Sequence, residues 1–169
     1  MGVNVSPRQL RDGDLPARVR RILLDSSLAP SCLELEITES GAMDNPTRCI
    51  EQLHELREMG VTLAMDDFGT GYSSLSYLKR LPLDRIKIDA SFVRDLAVDA
   101  DDSALVQLII AMARQLKLTV IAEGVETQEQ VDLLSQWRCD EFQGYLFSRP
   151  VLAAAIPGLS RVEARAHVA

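Results

Sequence analysis

Histidine is nearly missing from this chain. There are two in 169 residues, and one of them, His167, stands three positions from the end. Zinc chemistry of the histidine-rich kind is thereby excluded for practical purposes. Cysteine is scarce too: Cys32, Cys49 and Cys139 are odd in number and widely spaced, with no C-x-x-C pair. Neither a disulfide framework nor a cysteine zinc site is expected, and a reducing cytoplasm is the expected setting. Positive charge is in deficit, with 18 Lys and Arg against 25 Asp and Glu and a net charge of −7. That argues against binding a DNA or RNA polymer through a basic patch. No apolar run approaches the roughly 20 residues that cross a bilayer, and "MGVNVSPRQL" lacks the basic and apolar regions of a signal peptide. No membrane segment is expected.

What the chain does contain is a regular alternation. Short β-like runs begin at residues 3, 33, 61, 85, 119 and 142 ("VNVS", "LELEIT", "VTLAM", "RIKID", "TVIAE", "FQGYLF"), with helical patterns between them. This is the signature of a parallel α/β fold. The helices are punctuated by Asp14, by Asn45-Pro46 with Gly60 beyond, and by a capping box from Thr127 to Gln130. Leu15, Val19, Ile22 and Leu23 mark one apolar face, and Leu105, Ile109, Met112 and Leu116 another. These faces read as core. Residues 158–169 read as a tail after a domain spanning 1–157.

Strand side chains alternate between faces. Leu33, Leu35 and Ile37 oppose Glu34, Glu36 and Thr38; Ile86 and Ile88 oppose Lys87 and Asp89. Buried strands of an open parallel sheet are usually apolar on both faces. One apolar and one charged face fits a barrel whose outside meets helices and whose mouth holds a polar site at the strand C-termini. Six strands can deliver Asn4, Glu36, Asp66, Asp67, Lys87, Glu123 and Gln143 to that mouth, with Asp67 beginning the turn. Carboxylates gathered this way repel unless cations sit between them, and oxygen ligands without histidine suit Mg²⁺ or Mn²⁺. Each feature has a plainer reading. Asp66-Asp67 alone is an ordinary solvated turn, Lys87 and Asp89 are a structural ion pair, and "FGTG" is a weak phosphate-loop signal.

Taken together, "NVSPRQL", "ELEITES", "MDDFGTGYSSL", "IKIDASFV", "IAEGVETQEQ" and "DEFQGYLFSRP" closely resemble successive blocks of the EAL domain, the family of bacterial cyclic-di-GMP phosphodiesterases. The resemblance runs from residue 3 to about 150. It implies a TIM-barrel-like fold that hydrolyses cyclic-di-GMP to linear pGpG by a two-metal mechanism. Asn4, Glu36, Asp66, Asp67 and Glu123 resemble the family's metal-site residues, and Lys87 resembles the lysine that holds the attacking water. Catalytic work then falls to Lys87, Glu123 and Asp67. Glu126 and Gln143 match substrate-binding positions, and Glu39 matches the glutamate that steadies the loop at 67–75.

Two family blocks are not found, the Glu-Ala-Leu motif and the upstream block resembling "YQP" that begins the family barrel. No Glu-Ala-Leu tripeptide occurs in the 169 residues, and in the family that motif supplies a metal-ligand glutamate followed by an arginine that contacts substrate phosphate. A TIM barrel typically needs about 250 residues, so the expected fold is incomplete, with about six of eight strands and the first two missing. Two open edges would expose apolar interior, and a homodimer or higher oligomer is expected to cover them. The alternative function is a catalytically inactive module that binds cyclic-di-GMP or drives oligomerisation.

Overall fold

A computed structural model of the chain describes residues 1–43, 45–71 and 75–156. The expected tail at 158–169 lies outside the described residues. Six strands are hydrogen-bonded in chain order: β1 (Gly2–Val5), β2 (Glu34–Thr38), β3 (Thr62–Phe68), β4 (Arg85–Ile88), β5 (Thr119–Ala122) and β6 (Glu141–Phe142). Every neighbouring pair is parallel. Parallel neighbours need crossovers, and helices fill them: α1 (Pro7–Asp12) and α2 (Leu15–Ser26), α3 (Glu39–Met43) and α4 (Pro46–Glu58), α5 (Leu75–Leu78), α6 (Ala90–Arg94) and α7 (Ala100–Gln115), and α8 (Gln128–Gln136). This is the strand order of a TIM-like barrel wall, with β1 and β6 as its two edges.

The apolar set of each strand faces the helices. Leu35, Ile37, Leu63, Met65, Ile86, Ile88, Val120 and Ala122 are buried there with Leu53 and Leu56 of α4 and Val106 and Ile110 of α7. Each such fully buried side chain contributes about 1.5–3 kcal/mol by removal from water. The opposite, inner face carries the polar set. Arg85 on β4 pairs with Glu34 on β2 and Glu141 on β6, at 3.1 and 2.8 Å. Neighbouring strands lie about 4.8 Å apart, and these long side chains reach over β3 and β5 to join alternate strands on the inner face.

Two of the expected caps form, while Asp14 precedes α2 without a side-chain cap bond, and Ser6, Asp89 and Asp99 are caps beyond those expected. Asn45 accepts from the Arg48 N–H, and Thr127 and Gln130 form their capping box. Ser6 and Gln9 form a second box at α1. Three expectations need correction. Ile22 is 58% exposed while Leu15, Val19 and Leu23 are buried, because among the described residues β1 is the edge strand and no element packs on that side of α2. On α7 the buried line is Val106, Ile109, Ile110 and Ala113, with Leu105, Met112 and Leu116 only partly buried beside it. The apolar stripe is wider than the quartet that periodicity picks, so the residues facing the sheet lie one position over. The last run, 142–147, is strand only over Glu141–Phe142. Gln143 continues the pairing to Ala122 O, but Gly144 then turns the chain back onto Val125.

Candidate active site

The site lies where the strands end, and its central feature is an irregularity in β3. Met65 is in register with Ile86 and Phe68 with Ile88, so two residues, Asp66 and Asp67, face the single Lys87 of β4. That is a β-bulge, the device that re-aims side chains beside active sites. Asp67 takes the left-handed conformation it requires, φ 53, which aspartate tolerates better than most residues. A regular strand would send adjacent carboxylates to opposite faces; the bulge turns both inward. The strand therefore runs through Asp67 to Phe68, and the turn expected to begin at Asp67 begins after it.

Lys87 is buried, and its ammonium contacts carboxylates from three other strands or their ends: Glu36 at 3.0 Å, Asp66 at 3.1 Å and Glu123 at 2.7 Å. Burial alone would lower the pKa of Lys87, but hydrogen bonding to Glu123 and Glu36, with the Glu123 charge added, outweighs it and holds the group above the ordinary lysine value. Glu123 is pushed up by burial, with the Asp66 and Glu36 charges adding to the shift and Lys87 opposing it. Asp67 is raised by burial and by the neighbouring Asp66 and Asp89 charges. One ammonium thus faces four carboxylates. Oxygen atoms of Asp66, Asp67 and Glu123 lie within 4.8 Å of one another. Asp66 Oδ1 is buried, and although Lys87 Nζ is 3.1 Å away, it makes no well-directed hydrogen bond. Buried oxygens with spare lone pairs and surplus negative charge fit a hard divalent cation.

The remaining expected residues surround this cluster. Asn4 is exposed and in register with Glu36, so it shares that residue's inner face. Glu39, 3% exposed, accepts from the N–H groups of Gly69 and Gly71, both at 3.3 Å, and so holds the start of the loop after β3. A Cβ on Gly71 would stand 2.8 Å from the Glu39 carboxyl, so only glycine lets the backbone come this close. Residues 72–74 of that loop lie outside the described residues. Glu126 and Gln143 sit at the same end of the sheet with exposed side chains, and neither is among the carboxylates and cation drawn together around Lys87.

Asp89 does not pair with Lys87. Its carboxylate caps α6, accepting from the Ser91 N–H at 2.9 Å and from the Ser91 hydroxyl, and it lies within hydrogen-bonding reach of Asp67. Burial alone would raise the pKa of Asp89, and the Ser91 bonds outweigh burial and lower it. The bulge is the reason: it brings Asp67 across towards Asp89, while Lys87 is taken up by Glu36, Asp66 and Glu123. The Asp-x-Ser sequence before α6 was the available signal for this cap.

The EAL domain family model matches residues 1–150. This chain belongs to the EAL family. It is 49% identical over 156 residues to the cyclic di-GMP phosphodiesterase NbdA of Pseudomonas aeruginosa, a match covering 92% of this chain and 20% of that protein. The chain therefore spans about a fifth of the length of that curated relative. A solved PaMucR phosphodiesterase in complex with c-di-GMP superimposes with a TM-score of 0.88 and 47% identity, over 92% of this chain and 63% of that one. Klebsiella pneumoniae BlrP1, solved with cy-diGMP and either calcium or manganese, gives 0.81 and 38% identity over 88% and 38%. The EAL neighbours bear out the barrel-like α/β fold, of which this chain carries six strands.

Proposed function

We propose that this chain hydrolyses one phosphodiester bond of cyclic-di-GMP, releasing linear pGpG. The observation that carries the reading is the bulge that turns Asp66 and Asp67 together towards Lys87, Glu36 and Glu123, in a chain whose relatives are named as phosphodiesterases of this nucleotide. Asn4, Glu36, Asp66, Asp67 and Glu123 would hold Mg²⁺ or Mn²⁺. Divalent cations bound there would acidify a water for attack on phosphorus and offset charge on the phosphoryl oxygens. Lys87 would donate hydrogen bonds and stabilise negative charge as the water oxygen bonds to phosphorus and the P–O3′ bond breaks, the water's proton passing to solvent and the departing O3′ taking one from it. Glu39 keeps the loop after β3 in place, and Glu126 and Gln143 contact the nucleotide at the rim.

The 169 residues hold no Glu-Ala-Leu tripeptide, and the ligands proposed within them are these five residues. Purified chain with Mn²⁺ converts cyclic-di-GMP to pGpG on this reading, and Asp66→Ala abolishes the conversion. Binding of the nucleotide in Ca²⁺ with no turnover in Mn²⁺ would instead identify a binding module. Among the described residues no helix is long and apolar enough to cross a membrane, and three free thiols suit a cytoplasmic setting.

A second copy of the chain is proposed to cover the open side. Met1, Val3, Ile22 and Leu24 are exposed along β1 and α2, beside an apolar groove of about 360 Å³, and β1 and β6 each offer a free edge. Sedimentation at micromolar concentration should give twice the 18.7 kDa chain mass or more; a monomer at all concentrations excludes this.

A further inference from the structure

Gln130 does more than close the first turn of α8. Its side chain is 5% exposed, and all four of its hydrogen-bonding positions are used. Oε1 accepts from the N–H groups of Glu126 at 2.7 Å and Thr127 at 3.0 Å, while Nε2 donates to the carbonyls of Val93 at 2.9 Å and Arg94 at 3.2 Å. The neighbours fix which way the amide faces, since a flipped amide would set like groups against each other at every bond. A capping box needs only the bond to Thr127. The other three tie the segment after β5 to the end of α6.

Both tied segments carry the site. Glu123, three residues before Glu126, holds Lys87 at 2.7 Å. Helix α6 begins directly after Asp89, whose carboxylate lies against Asp67. The segments also touch: at Gly124, φ +69, an added Cβ would stand 2.5 Å from Ala90 Cβ. Nothing but backbone fits between them, so their separation is set by what holds them together. We propose that Gln130 is a positioning residue, which clamps the Glu123 arm to the Asp89 arm and so fixes the spacing of the Asp66, Asp67 and Glu123 carboxylates for a divalent cation. The proposal rests on the metal-site reading given above and adds to it a residue that touches neither metal nor nucleotide.

Titration of the chain with Mn²⁺, following free Mn²⁺ by electron paramagnetic resonance, tests it without need of turnover. Gln130→Met, similar in shape but without the amide, should weaken Mn²⁺ binding about tenfold or more, the usual scale for outer-shell partners. Thr127→Val removes the other half of the same capping box, in which Thr127 Oγ1 accepts from the Gln130 N–H at 3.2 Å. It loosens α8 but leaves the clamp, and its affinity should stay within twofold of the unsubstituted chain. Gln130→Glu keeps an acceptor for Glu126 and Thr127 but sets an oxygen against the Val93 and Arg94 carbonyls; it should weaken binding as Gln130→Met does, and it carries the comparison if Gln130→Met does not fold. Glu123→Gln, as control, should weaken binding most.

Unchanged affinity in both Gln130 variants overturns the clamp while leaving the metal site standing. Equal weakening by Thr127→Val overturns it as well, since helix stability alone would then account for the effect. No saturable Mn²⁺ binding by the unsubstituted chain overturns the metal site and the clamp with it.

Discussion

Two ionic layers cross the inside of the sheet, two residues apart on β2 and β4, and they are built to different ends. In the lower layer Arg85 meets Glu34 and Glu141, one cation between two carboxylates. A guanidinium is a planar fork that suits two carboxylates at once, and this layer is open, with Arg85 30% and Glu141 48% exposed at the side chain. In the upper layer Lys87 meets Glu36, Asp66 and Glu123, and Asp67 adds a fourth carboxylate close by. That layer is drier, with the Lys87 side chain only 6% exposed and its partners 12–17%. The lower layer comes close to balancing its own charge. The upper one leaves a surplus that the protein alone does not neutralise. A shortage of positive charge inside a half-buried layer distinguishes a site from a structural ion pair.

The largest expected effect follows from taking away the upper cation. Lys87→Met leaves three poorly hydrated carboxylates facing one another, and breaking a buried pair from one side costs about 3–5 kcal/mol. Lys87 has its pKa raised above 10.5, so its stabilisation is complete below that pH and is lost only as pH rises through the folded-state value. At pH 7 the full loss should therefore appear in the urea midpoint of the metal-free protein. Added Mn²⁺ should restore more stability to Lys87→Met than it gives the unsubstituted chain, because it enters where the ammonium was. A loss below about 1 kcal/mol would make the upper layer no different from the lower.

A second effect is smaller and depends on pH. Glu123 has its pKa raised from 4.5, chiefly by burial. A raised carboxyl pKa means that the folded state binds the proton more tightly than the unfolded one. Its contribution is then complete below the unfolded value and is lost as pH rises through the folded one. Between neutrality and pH 4.5 the metal-free protein should thus gain stability from Glu123 on acidification. Glu123→Gln, which has no such proton to bind, should flatten that part of the profile relative to the unsubstituted chain. Identical slopes would mean that Lys87 already compensates Glu123 in full.

How much of this was legible beforehand divides along physical lines. The strands, their order and their charged faces could be read because alternation is local, and Glu36, Lys87 and Glu123 meet as alternation places them. The bulge could not be read: nothing in "MDDF" says that two residues will oppose one, since that depends on the register with β4. The plainer alternative of an Asp89–Lys87 ion pair fails for the same reason, since Lys87 pairs with Glu36, Asp66 and Glu123. The four bonds of Gln130 were half visible. Its capping box is local, but the reach to Val93 and Arg94 spans 37 and 36 residues and exists only after α6 and α8 have packed. Ile22 followed its helical face faithfully and is exposed because β1 is the edge strand among the described residues.

The smallest effect is the one that breaks the comparison most cleanly. Arg85→Met removes the lower cation, but its partners are open to water and ions. The pair with Glu141 is nearly a surface bridge, and exposed pairs contribute about 0.2–1 kcal/mol. The guanidinium stem also packs along the sheet, and methionine keeps most of that contact. The expected loss is therefore under about 1 kcal/mol, and it should shrink further in about 1 M salt, where the screening length falls to about 3 Å. The Lys87→Met loss should persist in the same salt, because its carboxylates are shielded by protein, and only a divalent ion that enters the layer should relieve it. Measuring both variants at low and high NaCl, without divalent metal, gives four numbers. Equal losses for Arg85→Met and Lys87→Met with equal salt sensitivity would show that both layers are structural, and the case for a charge-deficient cation site in the upper one would fail.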